Sequence, residues 1–100
     1  MEKRKPTYDL ESIKDEFSSV DTLRMTRTAQ NDALALGFIL QDVVDTIQAI
    51  TRKHFVKSMT SYADYTCWQD VYSVPREGEI LYVKFTTDDE GKLLISFKRQ

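Results

Sequence analysis

The stretch over residues 57–72, KSMTSYADYTCWQDVY, restricts the possible folds of this chain more than any other part of the sequence. It is rich in Tyr and Thr, which favour strands over helices, and it contains the only Trp and the only Cys. Two later segments, 81–85 and 95–98, alternate apolar and polar side chains as half-buried strands do. The carboxyl-terminal half therefore predicts a β-sheet, and we expect any functional site to lie there.

Length and composition narrow the class of protein. A chain of 100 residues predicts one domain, 1–100. Hydrophobic residues at 41% and charged residues at 30% are typical of a soluble protein, and no apolar run approaches the roughly 20 residues of a membrane span. One cysteine and one histidine provide neither a disulfide nor a zinc site, and the charged amino terminus lacks a secretory signal. These features predict a cytoplasmic protein with no metal or other cofactor.

Apolar spacing before the predicted sheet indicates three helices. The first is predicted over 10–19 with Asp9 as its cap, and the second begins near Thr26 or Thr28. Gly37 follows the second helix, where a left-handed cap is favourable. The third helix shows one continuous apolar stripe, made of Leu40, Val43, Val44, Ile47 and Ile50.

From residue 54 onward we predict four strands, joined by turns that are short enough for antiparallel hairpins. Their predicted ranges are 54–59, 65–72, 79–87 and 92–98. Alternation directs six side chains toward the helices: Leu81, Val83, Phe85, Leu93, Ile95 and Phe97. It leaves Tyr82, Lys84, Ser96 and Lys98 on the other face, while the parity of the second strand stays open. The predicted class is α+β, with three helices packed on one face of an antiparallel sheet.

Six short motifs occur together along the chain: MEKR at 1–4, TR at 26–27, LG at 36–37, KSMT at 57–60, WQDVY at 68–72 and ISFK at 95–98. Their combination resembles the MqsR family, the motility quorum-sensing regulator toxins. The resemblance covers nearly the whole chain and implies a RelE-like fold. It also implies a messenger-RNA interferase, the toxin of a type II toxin–antitoxin pair, which cuts single-stranded RNA at short GC-containing triplets. Its implied partner is a cognate antitoxin protein, and DNA would be reached only through the antitoxin complex.

The resemblance also implies which residues form the site. It assigns catalytic roles to Lys57, Gln69 and Tyr82, and weaker RNA-binding roles to Lys98, Met59 and Asp64. Lys84 joins these as an RNA-binding candidate because it shares the predicted polar face. Two histidines of other family members are absent, since this chain has Thr7 at one position and Gly91 or Lys92 at the other.

These residue types suit metal-free RNA cleavage, in which the 2′-hydroxyl attacks the adjacent phosphorus. Lys57, Lys84 and Lys98 can hold the phosphate, and Tyr82 can transfer a proton as either acid or base. Gln69 can bind a base edge or the phosphate. An unpaired base can stack on one of the nearby phenol rings, those of Tyr62, Tyr65 and Tyr72.

A second interpretation belongs to a different class: a catalytically weak or inactive interaction protein that binds an antitoxin or RNA through the same sheet. The missing histidines and the net charge of −2 favour it. From the residues alone, the polar face is also explained by simple solvation. By the same reasoning Trp68 is a core or edge anchor, Cys67 a small buried hydrophobe and His54 a structural or exposed residue.

Overall fold

A five-stranded antiparallel sheet in the order β1-β2-β3-β4-β5 forms one layer of the computed structural model, which describes residues 1–61, 63 and 66–100. The strands are β1 Glu2–Lys3, β2 Phe55–Thr60, β3 Trp68–Arg76, β4 Glu79–Asp88 and β5 Gly91–Arg99. The α-helices are α1 Leu10–Glu16, α2 Arg27–Ala35 and α3 Leu40–Gln48, with short 3-10 helices at Val20–Thr22 and Arg52–His54. The predicted α+β class with three helices is confirmed.

The helix boundaries follow from capping side chains. Asp9 accepts a hydrogen bond from the Ser12 amide and begins α1, and Thr26 accepts from the Ala29 amide and begins α2. Gly37 has a φ of 86°, so α2 ends in the predicted left-handed cap. The α1 helix is shorter than predicted and ends at Glu16. The helices are seven to nine residues long, and the described residues include none with the length and apolarity that a membrane crossing requires.

The helices and one face of the sheet share a single core. The third helix contributes Val43 and Ile47, both fully buried, as the apolar stripe predicted. Phe17, the residue after α1, stacks on Phe85 of β4, with ring centroids 6.1 Å apart. The sheet residues of this core are Tyr72, Val74, Leu81, Val83, Phe85, Leu94 and Phe97. In the described part of the chain, no helix contributes to the opposite face of the sheet.

The predicted directions of the side chains are wrong in the first half of β5. A bulge places Ile95 between the pairs Lys84–Ser96 and Phe85–Leu94, so that the side-chain parity reverses along the strand. Leu94 is fully buried, whereas Leu93 and Ile95 are only half-buried. The bulge also lets the Leu94 amide donate to the Arg24 carbonyl at 3.0 Å, which ties the strand to the segment before α2.

The sheet contains one strand more than the four predicted, because residues 2–3 pair with β2. Glu2 lies opposite Met59, and Lys3 lies opposite Ser58. β3 also runs past the predicted end and includes Pro75. The first addition matters for the site, because β1 adds charged side chains to the edge of the sheet.

Candidate functional site

The face of the sheet that turns away from the helices brings together the predicted polar residues. Lys57 lies opposite Val71, which lies opposite Lys84 on the next strand. In the neighbouring row Tyr82 lies opposite Lys98. Three lysines and one phenol from β2, β4 and β5 therefore share one surface, which we call the lysine face: Lys57, Tyr82, Lys84 and Lys98.

Val71 forms an apolar floor beneath the lysine face. Its side chain is fully buried, yet it is not part of the core that the helices cover. Its cross-strand neighbours are Lys57 and Lys84, whose aliphatic stems can cover an apolar surface while the ammonium groups reach solvent. This arrangement presents charged groups from a rigid part of the sheet.

Lys84 lies at the centre of the positive charge. Its Nζ atom is 5.7 Å from the centroid of the Tyr82 ring, within range of a cation–π contact. Burial lowers the pKa of Lys84, and the charges of Lys98 and Lys57 lower it further. An anion bound here would relieve this repulsion, so the face is prepared for a negatively charged ligand.

Lys57 is held by a residue that the sequence analysis did not identify. Its Nζ atom donates to Oε1 of Glu2 at 2.8 Å, and the two form an ion pair at the edge of the sheet. The hydrogen bond and the charge of Glu2 raise the pKa of Lys57, and the nearby Tyr82 raises it further. Fifty-five positions separate the two residues, so no local motif could have indicated the pair.

The structure shows which side chains of β3 point to which face of the sheet. Trp68, Asp70 and Tyr72 belong to the helix side, and Gln69 lies on the lysine face opposite Met59. Both Gln69 and Met59 are half-buried, so the structure places two more of the predicted site residues beside Lys57.

The structure does not support every predicted RNA contact. Tyr72 is fully buried in the core, where its ring packs edge-on against Phe55 and Phe85, so the suggestion that it stacks on an RNA base is wrong. The remaining predictions of this kind lie outside the described residues: Asp64 as an RNA contact, and Tyr62 and Tyr65 as stacking platforms.

Thr7 occupies the position of one family histidine and makes its hydrogen bonds on the helix side of the sheet. Its hydroxyl lies 2.7 Å from that of Ser58, and its amide donates to the carboxylate of Asp70. The amide of Tyr8 and the hydroxyl of Ser58 donate to the same carboxylate. This network fixes the amino-terminal segment on β2 and β3, and it places Thr7 away from the lysine face.

The position of the second family histidine also faces the helices. Lys92 pairs with Glu16 of α1 at 3.5 Å, and its ammonium lies 5.7 Å from the ring centroid of Tyr8. Gly91 has its Cα so close to the same glutamate that an added Cβ would lie 2.9 Å from Oε1. Neither residue joins the lysine face.

The chemistry of this surface is that of an anion site on a sheet. Among the described residues, no group of three or more His, Cys, Asp or Glu side chains is placed to hold a metal ion. Three ammonium groups provide the positive charge, and the phenol and amide provide hydrogen bonds. An α+β domain with such a face is suited to binding a phosphodiester.

Comparison with known proteins identifies the family. The family model described as "Motility quorum-sensing regulator, toxin of MqsA" matches residues 5–99. The mRNA interferase toxin MqsR of Escherichia coli (strain K12) is 35% identical over 100 residues, with 100% of both chains covered. The chain belongs to the MqsR toxin family, as its motifs predicted.

Proposed function

We propose that this chain is a single-domain endoribonuclease toxin that cuts single-stranded messenger RNA on the lysine face. The observation that carries the proposal is the convergence of Lys57, Tyr82, Lys84 and Lys98 above the buried Val71. Support comes from the family, whose description names a toxin, and from the relative in Escherichia coli, whose name is that of an mRNA interferase.

The proposed reaction uses the RNA's own 2′-hydroxyl as nucleophile and needs no metal. The 2′-oxygen loses its proton and attacks phosphorus, and the bond from phosphorus to the 5′-oxygen breaks. The leaving oxygen takes up a proton, which gives a 2′,3′-cyclic phosphate and a free 5′-hydroxyl. Negative charge grows on the phosphoryl oxygens during this step, and ammonium groups held nearby stabilise it. Lys57, Lys84 and Lys98 have this role, and Tyr82 transfers a proton.

Substrate recognition is assigned to the side chains beside these groups. The amide of Gln69 can donate to and accept from one base edge, and Met59 offers an adjacent apolar contact. The proposed substrate sites are short GC-containing triplets, and the proposed protein partner is a cognate antitoxin, through which the toxin would also be brought to DNA.

Cleavage of a defined single-stranded RNA by purified variants tests the site. Lys57→Ala and Tyr82→Phe are expected to reduce cleavage at least a hundredfold, because each removes a group that acts on the reacting phosphate. Lys53→Ala is the matched control, since Lys53 is exposed in the short 3-10 helix before β2. Full activity in both site variants would contradict the assignment.

The interaction-protein alternative rests on the net charge of −2. The missing histidines do not favour it, because both positions face the helices, where Thr7 and Lys92 make other contacts, and an imidazole there would not reach the lysine face. Expression in bacteria separates the two functions. Growth arrest that the cognate antitoxin relieves supports the toxin, whereas harmless expression with retained RNA or antitoxin binding supports the alternative.

A further inference from the structure

The lysine face has a carboxylate at its edge. Glu2 pairs with Met59, which shares the side-chain parity of Lys57, and the Glu2 side chain bonds the Lys57 ammonium at 2.8 Å. The side chain of Glu2 is 62% exposed. A substrate can therefore reach its second oxygen without moving β1, while the bond to Lys57 holds the group in place.

The sheet order sets Glu2 and Tyr82 on opposite sides of Lys57. Glu2 is on β1, Lys57 is on β2 and Tyr82 is on β4. Strands lie about 4.8 Å apart, so the backbones of β1 and β4 are separated by about 14 Å. Glu2 lies in the row of Met59 and Gln69, and Tyr82 lies in the row of Ser73, four residues further along β3. The two Cα atoms are therefore also about 13 Å apart along the strands and about 20 Å apart in all, with Lys57 in the row between them. Extended Glu and Tyr side chains leave a space on the order of 9 Å, which accommodates a scissile phosphodiester with a hydrogen bond at each end.

We propose that Glu2 is the general base of RNA cleavage, with Tyr82 as the general acid on the other side of the scissile phosphate. This inference rests on the proposed function and assigns the proton transfers within it. Glu2 takes the proton of the 2′-hydroxyl as the 2′-oxygen bonds to phosphorus. The phenol of Tyr82 gives its proton to the 5′-oxygen as the old bond breaks, and both groups later exchange protons with water.

The surroundings of Glu2 keep it in the form that a base needs. The hydrogen bond and the charge of Lys57 lower the pKa of Glu2, with smaller contributions from the amino terminus and Arg4. Lys57 in turn stays an ammonium, because its own pKa is raised. The lowered pKa makes Glu2 a weaker base, so what Lys57 adds is a fixed, ionised carboxylate and a cation that stabilises charge on the phosphate.

The sequence restricts the choice of base. The only histidine is His54, whose Nδ1 accepts from the Thr51 amide in the 3-10 helix before β2. Asp70 is fully buried and turned toward the helices. Among the carboxylates of the described residues, Glu2 is thus the one that contacts a member of the lysine face.

Single-turnover cleavage tests the proposal with Glu2→Gln, which keeps the shape and removes the basicity. The rate of the chemical step is expected to fall by about 10²–10⁴-fold, the range for loss of a general base. Binding of a 2′-deoxy analogue of the same RNA is expected to stay equal or become tighter, because an anion is lost. Glu16→Gln, which breaks an ion pair on the helix side, is the matched control and should keep the wild-type rate.

A replacement base provides the readout that a structural role would not change. Glu2→His is expected to recover part of the lost rate, with activity that falls as the pH drops through the ordinary imidazole pKa of about 6.5. A wild-type rate or a faster rate in Glu2→Gln would overturn the proposal, and a faster rate would make Glu2 a competitor of the RNA phosphate for Lys57. If wild-type protein leaves RNA intact, the proposed function fails as well; if only Lys57→Ala is inactive, the base assignment fails alone.

Discussion

The hydroxyl of Ser58 donates to Oδ1 of Asp70 at 2.6 Å, and both residues are fully buried between the sheet and the amino-terminal segment. They are direct cross-strand partners on β2 and β3. The pair lies on the opposite side of the strands from Lys57 and Gln69, so it fixes the register of two site residues without touching the site.

Replacing Asp70 by Ala is therefore expected to destabilise the protein. The change removes the acceptor of three donors, namely the Ser58 hydroxyl and the amides of Thr7 and Tyr8, and we expect a loss of about 2–4 kcal/mol in the free energy of unfolding. Urea denaturation measures it. Asp45→Ala is the control, because Asp45 is exposed on α3 and should change stability by less than about 0.5 kcal/mol. Equal midpoints for the two variants would disprove the role of the network.

Tyr72→Phe is expected to keep or increase stability at neutral pH. The Tyr72 hydroxyl is buried and has no hydrogen-bond partner among the described residues, so its removal ends a desolvation penalty. The packing of the ring against Phe55 and Phe85 stays the same. A thermal melt measures the effect, and a large drop in Tm would mean that the hydroxyl has a partner.

The same substitution should change the response to alkali. Burial raises the pKa of Tyr72 to about 12, above its ordinary value of 10.0, so the folded state binds this proton more tightly than the unfolded state. The stabilisation is complete below pH 10 and disappears as the pH rises toward 12, by on the order of 2–3 kcal/mol. Urea titrations across this window should show a shallower decline for Tyr72→Phe than for wild type; parallel declines would contradict the account.

RNA binding is expected to depend on salt through the lysine face. Lys84→Ala and Lys98→Ala should each reduce the slope of log K against log salt by about 0.7, the value for one phosphate contact with a single strand. The measurement uses a 2′-methoxy RNA that cannot be cleaved. Lys92→Ala should leave the slope unchanged, because Lys92 pairs with Glu16 on the helix side. An equal change in all three variants would indicate general electrostatics instead of a defined face.

The β3–β4 hairpin allows a stabilising substitution. Glu77 and Gly78 have φ angles of 54° and 76°, so both central residues are left-handed. Asn is favoured over Glu before Gly in such a turn, and Glu77→Asn is expected to add about 0.5 kcal/mol of stability. Glu77→Val, which is β-branched, should lose about 1 kcal/mol or more. Equal stability of the two variants would contradict the left-handed conformation.

Much of the fold could be predicted from local chemistry. Asp9 and Thr26 begin helices because their side chains can accept amide hydrogen bonds, and the stripe of α3 is buried because its spacing matches one helix face. Alternation placed Tyr82 and Lys84 on the polar face correctly, because β4 keeps its parity along that part of the strand.

The predictions failed at positions where contacts between distant parts of the sequence determine the structure. The bulge at Ile95 reverses parity to meet the segment before α2, and alternation within one strand contains no information about that contact. The two residues of β1 are too few to show a period of two. Glu2 was missed for the same reason, since its partner Lys57 is distant in the sequence and only the pairing of β1 with β2 brings them together.

The central claim is that the lysine face cleaves RNA without a metal, and analysis of the product ends tests it most directly. Purified protein is incubated with a defined single-stranded RNA in EDTA, beside Lys57→Ala. The account predicts 2′,3′-cyclic phosphate and 5′-hydroxyl ends, which disappear in the variant. Intact RNA throughout, or products with 3′-hydroxyl and 5′-phosphate ends, would contradict it.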